Sequence, residues 1–230
     1  MSRCFPSASD MSAPRRNVSK TVSLAGAAVF GALAAIATIV GRIYPLRFPV
    51  PGFQFLQFDL AELIDVLAFL VFGPIVGFLT TGVHGAVLSI SSSDVPLIGP
   101  FLKFTAVTSM LLGIWLGYRV YVRVLKARVG ARAGFGLMTG LGLVTRVLIM
   151  TPINYLFLIL FFTNPDSPPS VTFVALYLGW IGVFNAIHAV ISIVIPYIVM
   201  DTLLRTSPQL EARAWFSEFL KLPRTLRGKT

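Results

Sequence analysis

Apolar residues fall along this chain in long continuous blocks, with polar residues gathered between them. The blocks lack the strict alternation of a strand, which argues against a transmembrane barrel. Six of them read as helical spans: about Thr21 to Ile43, Leu60 to Phe72, Ile75 to Ile90, Phe101 to Val122, Phe135 to Phe162 and Val171 to Leu204. Crossing a bilayer as a helix takes about 20 apolar residues. The second and third blocks fall short of that and are divided by Gly73-Pro74, a tight break. A single re-entrant hairpin is the alternative for this pair. The predicted fold class is an all-α integral membrane protein, a six-transmembrane-helix bundle forming one domain.

Composition supports that class. Of 230 residues, 56% are hydrophobic and 12% charged, with a mean hydropathy of +0.82. Soluble domains carry about twice that charged fraction. A net charge of +10 could point to nucleic acid, but its placement points to membrane orientation instead. Arg3, Arg15, Arg16 and Lys20 precede the first span. Arg119, Arg123, Lys126, Arg128 and Arg132 lie between spans four and five, and Arg205, Arg213, Lys221, Arg224, Arg227 and Lys229 follow the sixth. The opposite loops hold Arg42 and Arg47 beside Asp59, Asp94 and Asp166. With six spans, all three basic clusters are cytoplasmic and so are both termini. An odd number would put one cluster outside. A signal peptide is the rival reading of the first span, but Val22 to Val40 is long for a signal core.

Residues 1–18, rich in Ser, Pro and Arg, read as a disordered cytoplasmic tail, 19–206 as the transmembrane domain and 207–230 as a basic amphipathic cytoplasmic tail. Trp215, Phe216, Phe219 and Leu220 among basic residues suit a helix lying on the inner leaflet. The single cysteine, Cys4, excludes an internal disulfide, and two histidines without an acidic or cysteine cluster predict no metal site.

Polar residues inside the apolar blocks are the candidate chemistry. An unpaired amide is costly in hydrocarbon, so Asn154 and Asn185 should face an interior, a cavity or a partner. Asn185, His188 and Ser192 share one face of the sixth helix, and Thr151 and Asn154 share a face of the fifth, followed by Tyr155. Such residues serve as interhelical glue or as a ligand site. Two amides from different helices with His188 favour a ligand site. Arg146, near mid-membrane, must snorkel, pair or line a polar path. Lys103 could reach the first outer loop or a ligand, and His84 suits an interhelical hydrogen bond. Asp59 followed by Glu62 resembles a capping box, a structural role for both acids.

Two further segments have open readings. In the first span, Ala27, Gly31 and Ala35 recur every fourth residue beside Ala28 and Ala32. Small residues so spaced let another helix approach closely, within the bundle or as a docking face for a separate subunit. The first outer loop carries Phe48, Phe53, Phe55 and Phe58 among Pro45, Pro49 and Pro51. It closes over the bundle as a lid, with Phe53 and Phe55 toward a ligand, or sits in the headgroup zone.

No His-Glu-x-x-His, Gly-x-Ser-x-Gly or P-loop motif occurs, so no catalytic residues are expected and any pumping needs another subunit. Asp59-Leu-Ala-Glu-Leu followed by Phe72-Gly-Pro-Ile-Val-Gly77 resembles the Asp-Leu-Ser-Asp/Glu … Gly-Pro-Leu-Ala-Gly stretch of substrate-binding S components of energy-coupling factor (ECF) vitamin transporters. The alanine ridge is similar to the face by which those proteins dock on their membrane coupling subunit. Met150-Thr-Pro-Ile-Asn-Tyr155 and Phe184-Asn-Ala-Ile-His188 resemble the fifth and sixth helices of riboflavin-specific members. There an Asn on each helix, and a Lys three residues after the second, contact the flavin. The resemblance carries these roles to Asn154, Asn185 and His188, with His188 in place of the lysine and Lys103 where Asn is frequent.

The resemblance implies a multi-pass protein of a prokaryotic plasma membrane that binds riboflavin or a related flavin from outside. It implies a membrane coupling subunit and two cytoplasmic ATPase subunits as partners, with no cofactor and no nucleic acid. Another vitamin or a pyrimidine-like precursor is the alternative within that class. An intramembrane enzyme using His188 and His84, or a membrane scaffold, are alternatives outside it.

Overall fold

In the computed structural model, residues 20–43, 48–50, 53–91, 97–125, 129–162, 169–211, 214–217 and 219–220 are described. Each apolar block forms a helix: α1 (Lys20–Ile43), α2 (Ala61–Phe72), α3 (Pro74–Ser91), α4 (Ile98–Arg123), α5 (Ala131–Phe162) and α6 (Val171–Thr206), with a short α7 (Pro208–Glu211). Four are long and apolar enough to cross a membrane, at Lys20–Gly41, Ile98–Arg123, Ala131–Leu160 and Val171–Thr206. Pro74–Ile90 is a shorter apolar helix. This is the organisation of a multi-pass membrane protein.

Two features depart from the sequence expectation. The Phe-rich loop contains a small antiparallel hairpin, β1 (Phe48–Val50) with β2 (Phe53–Phe58), in which Phe48 faces Phe58. The described chain is helical apart from this one hairpin. Helix α2 has 12 residues, about 18 Å of rise against a hydrocarbon core of about 30 Å. It is an interior helix that packs against α1, α3, α4 and α6. The break after it is as expected: Gly73 takes φ +96°, which an L side chain resists, and donates its N–H to the Phe69 carbonyl at 2.8 Å. Pro74 then opens α3, where a missing N–H costs nothing.

Small residues set the closest helix contact. Ser109, Gly113 and Gly117 recur every fourth residue on α4. A Cβ at Gly113 would lie 2.7 Å from Gly142 Cα, and one at Gly117 would lie 2.6 Å from Met138 Cα. Helices α4 and α5 thus meet backbone to backbone, and Thr145 donates to the Ser109 carbonyl at 3.0 Å across the seam.

The end of the bundle opposite the hairpin is aromatic. Phe69, Tyr121, Phe216 and Phe219 are buried there, with Tyr118 and Trp215 packed against them. Trp215 meets Phe69 at 5.3 Å and Tyr118 at 4.7 Å between ring centroids. The aromatic residues after α7 therefore plug the base of the bundle. This corrects the expectation that they line a helix lying on a leaflet.

Candidate functional site

Helix α5 turns one face inward with a period of four: Gly134, Met138, Gly142, Arg146, Met150, Asn154 and Leu158 are all buried. Helix α6 turns Ile181, Asn185, His188 and Ser192 inward at spacings of four, three and four. From α2, Glu62 enters the same space, while Asp65, three residues on, is buried against His84 of α3 and Asp59 lies three residues before Glu62.

Arg146 is the centre of the larger cluster, at 2% exposure. Its Nη1 donates to Glu62 Oε2 at 2.5 Å and its Nη2 to Glu62 Oε1 at 3.2 Å, the two-pronged geometry that guanidinium and carboxylate favour. Its Nε donates to Asn185 Oδ1 at 3.1 Å, and Nη2 also reaches His188 Nδ1 at 3.2 Å. Nη1 approaches Met110 Sδ at 3.7 Å. Ser192 Oγ donates to Glu62 Oε2 at 3.2 Å. The buried charge of Arg146 is thereby matched by one carboxylate and surrounded by acceptors, as an ion in a low dielectric requires. His188 Nε2 lies 3.4 Å from the Asp59 carbonyl and 3.5 Å from Glu62 Oε2. Phe58 and Phe184 meet the His188 ring at centroid distances of 5.3 and 5.4 Å.

A second cluster joins α1, α3 and α4 to the start of α2. Lys103 Nζ is paired with Asp59 Oδ2 and donates to Thr38 Oγ1 at 3.0 Å. Thr38 Oγ1 donates to Asp59 Oδ2 at 2.8 Å and lies 3.1 Å from His84 Nε2. His84 Nδ1 is 2.8 Å from Asp65 Oδ2. The order Thr38, His84, Asp65 is that of a nucleophile, base and acid. Yet Thr38 gives its one hydrogen to Asp59 and not to His84, and Lys103 donates to the same hydroxyl. The arrangement is an interhelical tie. Asp59 connects the two clusters, its carboxylate in one and its carbonyl in the other.

The structure brings together some of the expected site residues and separates others. Asn185 and His188 meet at Arg146. Asn154 lies two turns further along the Arg146 face of α5 and donates Nδ2 to the Met150 carbonyl at 2.7 Å. Thr151 is only half-buried and bonds the Val147 carbonyl of its own helix at 2.7 Å. Tyr155 does not join the wall, being 42% exposed on the outside of α5. Lys103 belongs to the Thr38–Asp59 tie. The side chains of Phe53 and Phe55 lie outside the described residues; Phe58 is the hairpin residue that reaches His188.

Glu62 was expected to cap α2. The N-cap is Leu60, without a side-chain cap bond, and Asp59 just before it accepts from the Ala61 N–H at 2.8 Å. Glu62 instead bonds Arg146, 84 residues away. The ridge on α1 also divides. Ala27, Gly31 and Ala35 are buried, and a Cβ on Gly31 would fall 2.7 Å from Val83 Cβ and 3.1 Å from the Thr80 carbonyl of α3. That half is an internal contact, which corrects the docking expectation for those three residues. Ala28 and Ala32 are exposed, as are Leu24 and Ile36 on the same stripe.

No protein-family model matches this chain, and no curated protein matches it. Among solved structures, the S component of a bacterial ECF transporter is similar over 82% of this chain and 98% of its own, at 22% identity and a TM-score of 0.55. The chain therefore shares the fold of an ECF transporter S component.

Proposed function

We propose that the chain is the membrane-embedded substrate-binding subunit of an ATP-driven vitamin importer, and that it binds riboflavin or a related flavin. The observation that carries this reading is the buried polar cluster between α2, α5 and α6, set in a fold shared with an S component. A ligand site mixes many apolar walls with a few placed polar groups. Phe58, Phe184 and Ile181 supply such walls beside Asn185 and His188. In this reading six helices lie in a prokaryotic plasma membrane, both termini are cytoplasmic, and the hairpin closes the outer end. The exposed Ala28 and Ala32 face a membrane coupling subunit that works with two cytoplasmic ATPases.

The test is titration of riboflavin into the detergent-purified protein, followed by quenching of flavin fluorescence. Saturable quenching at one flavin per chain is expected. Absence of quenching, with retained helical circular dichroism, would overturn the flavin reading.

A further inference from the structure

We infer that Arg146 is a specificity-determining residue: it fixes the hydrogen-bonding sense of the α6 wall, so that Asn185 and His188 meet a ligand as donors and the ligand must present acceptors there. The inference rests on the proposed ligand site and adds which chemical edge that site selects.

The argument is a count of hydrogens and lone pairs. A guanidinium has five N–H groups and no acceptor, and it stays charged in proteins. In Arg146 all five are placed: Nε on Asn185, Nη1 on Glu62 and Met110, Nη2 on Glu62 and His188. The fork on Glu62 sets the plane of the guanidinium, so the other bonds cannot swing independently. Because Nη2 can only donate, His188 Nδ1 must accept with its one lone pair. The ring proton then sits on Nε2, where the nearest acceptors are 3.4 and 3.5 Å away. These contacts are long, so the donor is available to a better acceptor. A doubly protonated ring would set an N–H against a guanidinium N–H at 3.2 Å, which the geometry forbids.

Asn185 is fixed in the same way. Its oxygen faces Arg146 Nε, and its nitrogen gives one hydrogen to the Ile181 carbonyl at 3.0 Å. Flipping the amide would oppose N–H to N–H at Arg146 and oxygen to oxygen at Ile181. The second amide hydrogen is the donor left over. Asn185 and His188 lie three residues apart on one helical face, so the two donors address one edge of a ligand. A molecule with two neighbouring acceptors fits, such as a carbonyl oxygen beside a ring nitrogen. On an oxidised flavin those edges are O4 with N5, or N1 with O2. The N3–H must point elsewhere.

Two measurements test this. The chain has two histidines, so 15N NMR of histidine-labelled protein resolves them, with His188→Gln for assignment. At neutral pH, ligand-free His188 should show protonated Nε2 and unprotonated Nδ1. The opposite tautomer, or a doubly protonated ring, would overturn the inference whatever ligand binds. The second measurement compares riboflavin with 1-deazariboflavin and 5-deazariboflavin, each of which replaces one ring acceptor with C–H. At least one should bind about ten-fold more weakly. Equal affinity for all three would also overturn it.

Arg146→Lys keeps a cation opposite Glu62 but lacks the donors that fix both α6 residues. It should give a mixed His188 tautomer and shrink the discrimination between the flavins. Retention of a single Nε2–H tautomer in that variant would show that Arg146 is not what fixes it. If no flavin binds at all, the flavin reading fails, and the His188 tautomer alone decides whether Arg146 sets the wall.

Discussion

The two halves of α2 are built from opposite materials. Toward the hairpin, Glu62 is buried in an ion pair with Arg146 and Asp65 is buried against His84, with Asp59 just before them. Toward the base, Val66, Phe69 and Leu70 are buried among Tyr121, Trp215, Phe216 and Phe219. Aromatic packing stabilises by shape and contact, with about 0.5–1.5 kcal/mol per ring pair beyond area burial. A buried ion pair has to offset a desolvation cost of several kcal/mol per ion and often returns little net stability. The base can therefore hold the fold, while the polar half fixes which groups face which. Glu62, Arg146, Asn185 and His188 tie α2, α5 and α6 at one point, where apolar side chains could have packed as well.

The largest expected effects should separate those roles. Phe216→Ala empties a fully buried site and should cost about 3–5 kcal/mol of stability. Thermal unfolding in detergent would show this, and flavin affinity measured well below the transition should be unchanged. Arg146→Met leaves the Glu62 charge without its partner and should also cost about 3–5 kcal/mol. The double variant Glu62→Leu with Arg146→Met should recover most of that stability while losing flavin binding. If it stays as unstable as the single variant, the polar half is also holding the fold and the contrast fails.

The contrast also separates what was legible in the sequence from what was not. The helices were legible, because apolar blocks bounded by Gly73-Pro74 and by charged loops admit few other readings. The inward placement of Asn185 and His188 followed from the cost of an unpaired polar group in hydrocarbon. Arg146 was marked as having to snorkel, pair or line a polar path, but periodicity gives a residue's face and not what lies opposite. Glu62 was assigned to local capping because Asp59 and Glu62 have capping-box spacing, and Asp59 does accept from the Ala61 N–H. A carboxylate in the first turn of an apolar helix, with an unexplained arginine elsewhere, was the signal available for the pair. The α4 row of Ser109, Gly113 and Gly117 has the same four-residue spacing as the α1 ridge, and it makes the closer contact. The base was misread because Trp215, Phe216 and Phe219 lie among basic residues. That pattern suits a leaflet as well as a plug.

Smaller effects should lie wholly in the polar half. Asn154→Leu removes one buried amide from the Arg146 face of α5. If Asn154 meets the ligand, affinity should fall about ten- to hundred-fold, or about 1–3 kcal/mol, with the bundle still folded. Unchanged affinity would make Asn154 an internal tie, bonded to the Met150 carbonyl of its own helix. Lys103→Met removes the cation paired with Asp59 at the foot of the hairpin. Asp59 keeps the Thr38 hydroxyl and the Ala61 N–H, so the loss should be about 1 kcal/mol. It should appear as faster hydrogen exchange at the β2 amides, most clearly with ligand bound. Equal exchange in the variant and the parent would show that the hairpin does not depend on this tie.

The smallest effect on stability should come from Ala32 of α1, next to a residue, Gly31, that makes an internal contact. Gly31 has no room: a Cβ there falls 2.7 Å from Val83 Cβ and 3.1 Å from the Thr80 carbonyl. Gly31→Leu must push α1 away from α3, and with it Thr38 from His84, so stability should drop. Ala32 is exposed, and substitution at such a site usually changes stability by less than about 0.5 kcal/mol. Ala32→Leu should leave thermal unfolding and flavin binding as they are. It adds bulk on the stripe with Ala28, where the proposed coupling subunit would approach closely. Co-purification with that subunit should fall sharply for Ala32→Leu even though the isolated chain is unaltered. Normal recovery of the complex from the Ala32 variant would remove docking from α1 altogether, since the other half of the ridge is already covered by α3.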